Sequence, residues 1–256
     1  MTLEELFSCR NRVVLITGGS RGLGRVMAEA LAEAGADVAV CSRNREACLD
    51  TVESVQTMGR QVMALACDVT RQEEVDRTVD TVLQEWGRID VLINNSGTSW
   101  GAPALDMPLD AWHKVLATNL TGSFLMSQRV ARHMIANGGG KIINIASIAG
   151  LKGFFPEGLD AVGYSASKGG VIALTRDLAV KWGRYGVTVN AIAPGFFPTK
   201  MSQGVLDQHG DYLRSQIPLG RFGSSDDLRG VIVFLASPAS NYLTGSVLVV
   251  DGGMTA

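Results

Sequence analysis

Val13-Val14-Leu15-Ile16-Thr17-Gly18-Gly19-Ser20-Arg21-Gly22-Leu23-Gly24 is the stretch on which the rest of the chain turns. Its first four residues form a short, largely β-branched apolar run, which suits a fully buried strand. A helical pattern follows at once: Val26, Met27, Ala30, Leu31 and Ala34 share one face, and Gly35 closes it. A buried strand therefore turns through a glycine-rich loop into a helix. Glycine lets the backbone turn tightly and approach a ligand closely. The helix N-terminus adds free N–H groups and a positive dipole end, suited to a pyrophosphate. The spacing is Gly-x-x-x-Gly-x-Gly, and a bare glycine motif is also compatible with a plain turn. Set between strand and helix, it favours dinucleotide binding, with Gly18, Ser20, Arg21, Gly22, Leu23 and Gly24 as candidate contacts.

The second strand, Val38-Ala39-Val40-Cys41, ends in Ser42-Arg43. In nucleotide-binding βαβ units an acidic residue near this point holds the adenosine ribose and indicates NAD. Ser42 and Arg43 stand there instead. No carboxylate repels a 2′-phosphate, and a guanidinium binds one as a fork. Arg21 is a second candidate cation, so the expected cofactor is NADP(H) rather than NAD(H). The third strand, Val62 to Ala66, leads to Cys67-Asp68-Val69. Asp68 and Val69 are candidate adenine contacts; Asp68 could equally cap the next helix, with Thr70 as competitor. The fourth strand, Val91 to Ile93, runs into Asn94-Asn95-Ser96-Gly97. There amides can stitch strands together, and Gly97 leaves room for a ribose and nicotinamide.

Helices are expected at about 45–58, 72–86, 109–136 and 225–236, with further strands at 141–146, 187–192 and 247–250. Asn119 falls among Leu116, Leu120 and Phe124 inside the long helix. A buried amide there needs a partner, either a water or the backbone. Ser147 stands at the carboxyl end of the fifth strand, where open parallel sheets keep their ligand crevice. Tyr164 and Lys168 sit four residues apart, one turn on a helix face. An ammonium beside a phenol is expected to lower the phenol's pKa from about 10, giving an acid–base group for alcohol–ketone interconversion.

The chain has 256 residues, 46 % hydrophobic and 19 % charged, the composition of a folded protein. With no repeat, linker or low-complexity tract, one α/β domain is expected over 1–256. Net charge is −2, from 23 basic and 25 acidic residues, so no nucleic-acid surface is indicated. Cys9, Cys41, Cys48 and Cys67 form neither a CxxC pair nor a zinc spacing, and this suggests a reducing compartment. Three scattered histidines give no expectation of a metal. No apolar run is long enough for a membrane span, and the acidic N-terminus lacks a signal-peptide core; a cytoplasmic location is expected.

Taken together the motifs resemble the short-chain dehydrogenases/reductases over nearly the whole chain. They are Thr17-Gly-x-x-x-Gly22-x-Gly24, Asn94-Asn95-Ser96-Gly97, Asn119, Ser147, Tyr164-x-x-x-Lys168 and Pro194-Gly195. The resemblance implies a doubly wound Rossmann fold with a seven-stranded parallel sheet and an NADP(H)-dependent oxidoreductase. Tyr164 would be the general acid/base, and Lys168 would tune it and hold the nicotinamide ribose. Ser147 would orient the substrate oxygen, and Asn119 would hold a water linking Lys168 to solvent. Pro194, the Phe197 backbone and the Thr199 hydroxyl would lie at the nicotinamide carboxamide. A homotetramer paired through the long helices is also implied. Two features depart from the pattern. Ser96 replaces the commoner alanine, and Ser147 and Tyr164 are 17 positions apart where the family spacing is about thirteen.

The extra residues fall in Phe154-Phe155-Pro156-Glu157-Gly158, beside the expected substrate opening. Trp100, Phe154, Phe155 and Phe196 are candidate substrate contacts, and aromatic lining suits an apolar ketone or acyl chain; they could equally pack the loops. Lys152 and Lys200 could meet an anionic group or be solvated. Residues 200–223 form a candidate lid, or a fixed loop with a short helix. Asn95 to Gly101 and Phe196 to Met201 look like the β-ketoacyl reductases associated with rhamnolipid synthesis. Val250 to Ala256 looks like gluconate 5-dehydrogenases. The expected substrate is thus a 3-oxoacyl or related ketone, with a sugar acid or polyol as the alternative. A non-catalytic cofactor-sensing regulator is disfavoured, because Tyr164, Lys168, Ser147 and Asn119 are all present.

Overall fold

The computed structural model describes residues 1–256, with only the helical backbone at 157 and 158. Seven strands form one sheet in the order β3-β2-β1-β4-β5-β6-β7. They are β1 (Val13–Thr17), β2 (Asp37–Ser42), β3 (Val62–Ala66), β4 (Val91–Asn94), β5 (Gly140–Ile145), β6 (Val187–Pro194) and β7 (Val247–Val250). Every pairing is parallel; β1 lies between β2 and β4, with Leu15 opposite Ala39 and Leu92. The helices are α1 (Leu3–Leu6), α2 (Gly22–Glu33), α3 (Leu49–Thr57), α4 (Gln72–Trp86), α5 (Leu109–Leu116), α6 (Gly122–Ala136), α7 (Pro156–Leu159), α8 (Val162–Trp182), α9 (Gln203–Ser215) and α10 (Ser225–Ala236). The fold is thus the expected doubly wound, Rossmann-like one.

Alternation along β1 explains why helices cover both faces. Val14 and Ile16 pack with Met27 and Leu31 of α2 and with Leu228 and Ile232 of α10. Val13 and Leu15 pack with Val75 and Val79 of α4 and with Met126 and Val130 of α6. All five β1 residues are buried, as a strand covered on two sides requires. Burying one such side chain contributes roughly 1.5–3 kcal/mol.

The helix expected over 109–136 is interrupted. Between α5 and α6 the chain makes a π-helical turn, Ala117–Thr121. The Ser123 hydroxyl donates to the Asn119 carbonyl at 2.7 Å. Gly122 lies so close to Val69 that a Cβ there would stand 2.6 Å from its Cγ2.

Candidate active site

The carboxyl ends of β1, β2, β4, β5 and β6 open into one cleft of ≈ 940 Å³. Its floor is the glycine loop. Gly18 has φ +65°, and a Cβ at Gly24 would meet the Gly18 carbonyl oxygen at 2.2 Å. The loop is braced from the neighbouring strand. Asn95 Nδ2 donates to the carbonyls of Thr17 (3.1 Å) and Gly18 (2.9 Å), and the Asn95 and Ser96 N–H groups donate to Thr17 Oγ1. Asn94, one residue earlier, donates to Asn144 Oδ1 at 2.8 Å and ties β4 to β5. Thr17 is a clamp that the glycine spacing does not announce; its hydroxyl at a strand end was the available signal.

Every expected cofactor residue lines this cleft: the glycine-loop set, Ser42, Arg43, Asp68, Val69, Asn95, Gly97, Tyr164, Lys168, Pro194, Phe197 and Thr199. Arg21 and Arg43 are exposed, and neither forms an ion pair among the described residues. Asp68 does not cap α4, whose N-cap is Arg71. Asp68 accepts from the Thr70 N–H (3.0 Å) and hydroxyl (2.7 Å). Burial alone would raise its pKa, but these two bonds, with Arg43 and Arg71, hold the carboxyl below its usual range. This cleft fits a dinucleotide: a cradle without side chains at one end of β1, and guanidinium groups beside β2.

At the other end, Ser147 precedes the turn Ile148–Gly150, and its Oγ accepts from the Ala149 N–H at 3.1 Å. A Cβ on Gly150 would lie 2.6 Å from the Lys168 carbonyl carbon, so this turn rests directly on α8. Tyr164 and Lys168 occupy the first turns of α8 on one face, with Lys168 Nζ 5.6 Å from the phenol ring centre. Lys168 is 4 % exposed and donates to the Ile145 carbonyl at 2.6 Å.

One expectation needs correction here. Tyr164 has a raised pKa, because burial disfavours the phenolate more than the facing Ser147 hydroxyl favours it. Burial also lowers Lys168 to about 8. Adjacency in sequence suggested a depressed phenol; desolvation wins. Asn119 is buried and does not line the cleft. Its Oδ1 accepts from the Thr98 N–H at 2.8 Å, and its Nδ2 donates to the Thr98 carbonyl and to Ser167 Oγ, both at 2.9 Å. The amide fastens the loop after β4 to α8, the backbone-satisfied alternative.

Phe154 and Phe196 line the cleft, packed edge to face with ring centres 6.1 Å apart. Trp100 and Phe155 do not line it. They are 47 % and 73 % exposed, and their loop positions could not reveal which way the rings point. Of the inserted residues, Glu157 and Gly158 lie outside the described side chains. Ile148, Leu159, Met201 and Val205, which sequence reasoning passed over, complete the apolar lining. The two loops bounding this end are joined: the Ala102 N–H donates to the Asp160 carbonyl at 2.9 Å, and Ala102 bridges Ala161. The candidate lid contains α9, bent at His209.

A family model described as enoyl-(acyl carrier protein) reductase matches residues 18–255. Gluconate 5-dehydrogenase of Gluconobacter oxydans is 39 % identical over 261 residues, covering 100 % of this chain and 99 % of that protein. The 2-dehydro-3-deoxy-D-gluconate 5-dehydrogenase of Escherichia coli is 40 % identical over 253 residues, covering 98 % of each. A crystal structure of gluconate 5-dehydrogenase from Burkholderia cenocepacia in complex with NADP and tartrate superposes with a TM-score of 0.94 at 38 % identity, covering 99 % of each chain. With this fold, this cleft and these relatives, the chain belongs to the short-chain dehydrogenase/reductase family of pyridine-nucleotide-dependent oxidoreductases, acting on hydroxyl or keto groups.

Proposed function

We propose that this chain, as one domain over 1–256, interconverts a ketone of a sugar acid or polyol and its secondary alcohol with NADP(H). The observation that carries this reading is the pairing of two ends in one cleft: Tyr164, Ser147 and Lys168 at one, Arg21 and Arg43 without a β2 carboxylate at the other. When bound, the nicotinamide supplies or accepts the hydride. Tyr164, protonated because it is buried, donates its proton to the carbonyl oxygen in reduction and takes it back in oxidation. Ser147 orients that oxygen with a hydrogen bond. Lys168, anchored on Ile145, holds the cofactor ribose and keeps positive charge near the phenol as it ionises. Asn119 positions Lys168's helix through Ser167. Arg21 and Arg43 take the 2′-phosphate, a charge-assisted contact suited to guanidinium.

The substrate class rests on the relatives that act on gluconate derivatives. A second reading rests on the apolar lining of Ile148, Phe154, Leu159, Phe196, Met201 and Val205, which suits a 3-oxoacyl chain or another apolar ketone. Paired assays with NADPH separate them. Higher kcat/KM for 5-ketogluconate than for an acetoacetyl thioester is expected; the reverse order overturns the sugar-acid reading. We also propose a cytoplasmic homotetramer. An apolar groove of Leu120, Phe124, Gly170, Ala173 and Leu174 on the outer faces of the central helices would take a second copy. A single-chain mass by light scattering excludes that assembly.

A further inference from the structure

Lys152, which the sequence leaves between an anion contact and solvent, takes a third place. It does not line the cleft. Its Nζ donates to the Met254 carbonyl at 2.6 Å and lies 5.2 Å from the centre of the Phe154 ring. A charge-assisted hydrogen bond and a ring face together hold the ammonium. The Lys152 N–H donates to the Ile148 carbonyl at 3.1 Å.

Ile148 directly follows Ser147 and opens a single 3₁₀ turn, Ile148–Gly150. So short a turn holds itself weakly. Gly150 fixes it to α8, the helix that carries Tyr164. The turn is also tied to the segment after β7. Met254 is buried in one small apolar cluster with Ile148, Leu213 and Ile217, and Phe154 and Phe196 pack against that cluster. The segment is itself well anchored. Asp251 accepts from the N–H groups of Gly253 (2.9 Å) and Thr255 (2.8 Å) and from the Thr255 hydroxyl (2.7 Å). The Gly252 carbonyl accepts from the Leu219 N–H at 3.1 Å. The Met254 carbonyl is thus presented from a fixed point, and Lys152 links it to the carbonyl of Ile148.

We propose that Lys152 is a positioning residue that braces the Ser147 turn, and with it Phe154 in the cleft wall, against the segment after β7. This rests on the reading of Ser147 above as the group that orients the substrate oxygen. Such a brace acts on kcat, because a small displacement of an orienting group costs the transition state more than it costs ground-state binding. The glycine loop and the end of β2, where the nucleotide is held, make none of these contacts. Lys152 as a whole is exposed, so replacing it leaves no cavity in the core.

The test compares wild type with Lys152→Met, Lys152→Arg and Ser147→Ala. Each is assayed with NADPH and the better of 5-ketogluconate and an acetoacetyl thioester, and amide hydrogen exchange is followed at 149–152. Lys152→Met keeps the stem and loses the donor. It is expected to lower kcat by about 5-fold and leave the KM for NADPH within about 2-fold. Exchange at 149–152 should quicken by about 10-fold, with α8 and the glycine loop unchanged. Lys152→Arg, which still donates and still covers the ring, should restore most of both. Unchanged exchange at 149–152, faster exchange with wild-type kcat, or faster exchange that spreads to α8 and the glycine loop overturns the assignment. So does an arginine variant as impaired as the methionine one. Ser147→Ala with wild-type kcat overturns the reading of Ser147 alone. The brace then stands or falls on exchange at 149–152 and on the kcat of Lys152→Met.

Discussion

Two buried lysines lie at opposite ends of β5. Lys168 reaches its carboxyl end and donates to Ile145 O; Lys141 sits at its amino end and donates to Ser240 Oγ at 3.0 Å. They are 4 % and 5 % exposed, and burial lowers both to about 8. By titration alone they are indistinguishable. Their surroundings differ. Lys168 lines an open cleft with Tyr164 and Ser147, whereas Lys141 is enclosed near Cys9 and Arg12. A perturbed lysine therefore marks a site only where the sheet also offers a ligand room, at the carboxyl ends of its strands.

The comparison breaks most clearly through activity. Tyr164→Phe and Lys168→Met are expected to lower kcat by on the order of 10² or more while leaving the fold intact. Lys141→Met should leave kcat within about 2-fold. Steady-state kinetics on the three variants checks this, and comparable losses at both lysines would erase the distinction between the two ends.

A smaller effect sharpens it at the nucleotide end. Arg43→Ala removes a guanidinium from the carboxyl end of β2. It should lower kcat/KM with NADPH by about 10-fold or more, the worth of a charge-assisted contact, and leave the value with NADH nearly unchanged. Measuring both cofactors decides it; a wild type that prefers NADH removes the premise.

The smallest expected effect is on stability, at the amino end. Lys141 titrates near 10.5 in the unfolded chain and near 8 when folded. Below pH 8 both states hold the proton, and the folded state carries the full cost of a buried charge. Between 8 and 10.5 the unfolded state binds more protons, so this contribution to stability rises with pH. Lys141→Met should therefore be more stable than wild type by about 1–2 kcal/mol at pH 7, and the advantage should shrink as pH climbs through that window. Denaturant melts at pH 7 and pH 10 measure it.

The layout of β1, the glycine loop and α2 was legible because local rules agree there: a β-branched run, glycines, then a 3.6-residue period. Lys168 and Tyr164 were legible as a pair, yet their pKa values were not, because spacing reports proximity and not desolvation. Trp100 and Phe155 misled for a related reason. An aromatic residue on a loop carries no period from which to read its direction. Asn119 was placed correctly in a helix, but its partners, Thr98 and Ser167, come from two distant segments that only the fold brings together.

The π turn at 117–121 has a consequence for how such a helix is read. From α5 into α6 the buried positions Ala111, Val115, Asn119, Ser123, Ser127 and Ala131 recur every four residues. An ideal α-helix advances about 40° past a full turn at each such step, so a stripe of this length would drift by roughly 200° around the helix axis. One additional residue in a turn takes back about 100°, half of that drift. A four-residue repeat sustained this far is thus a phase record of the bulge, written in residues that each look like ordinary helix.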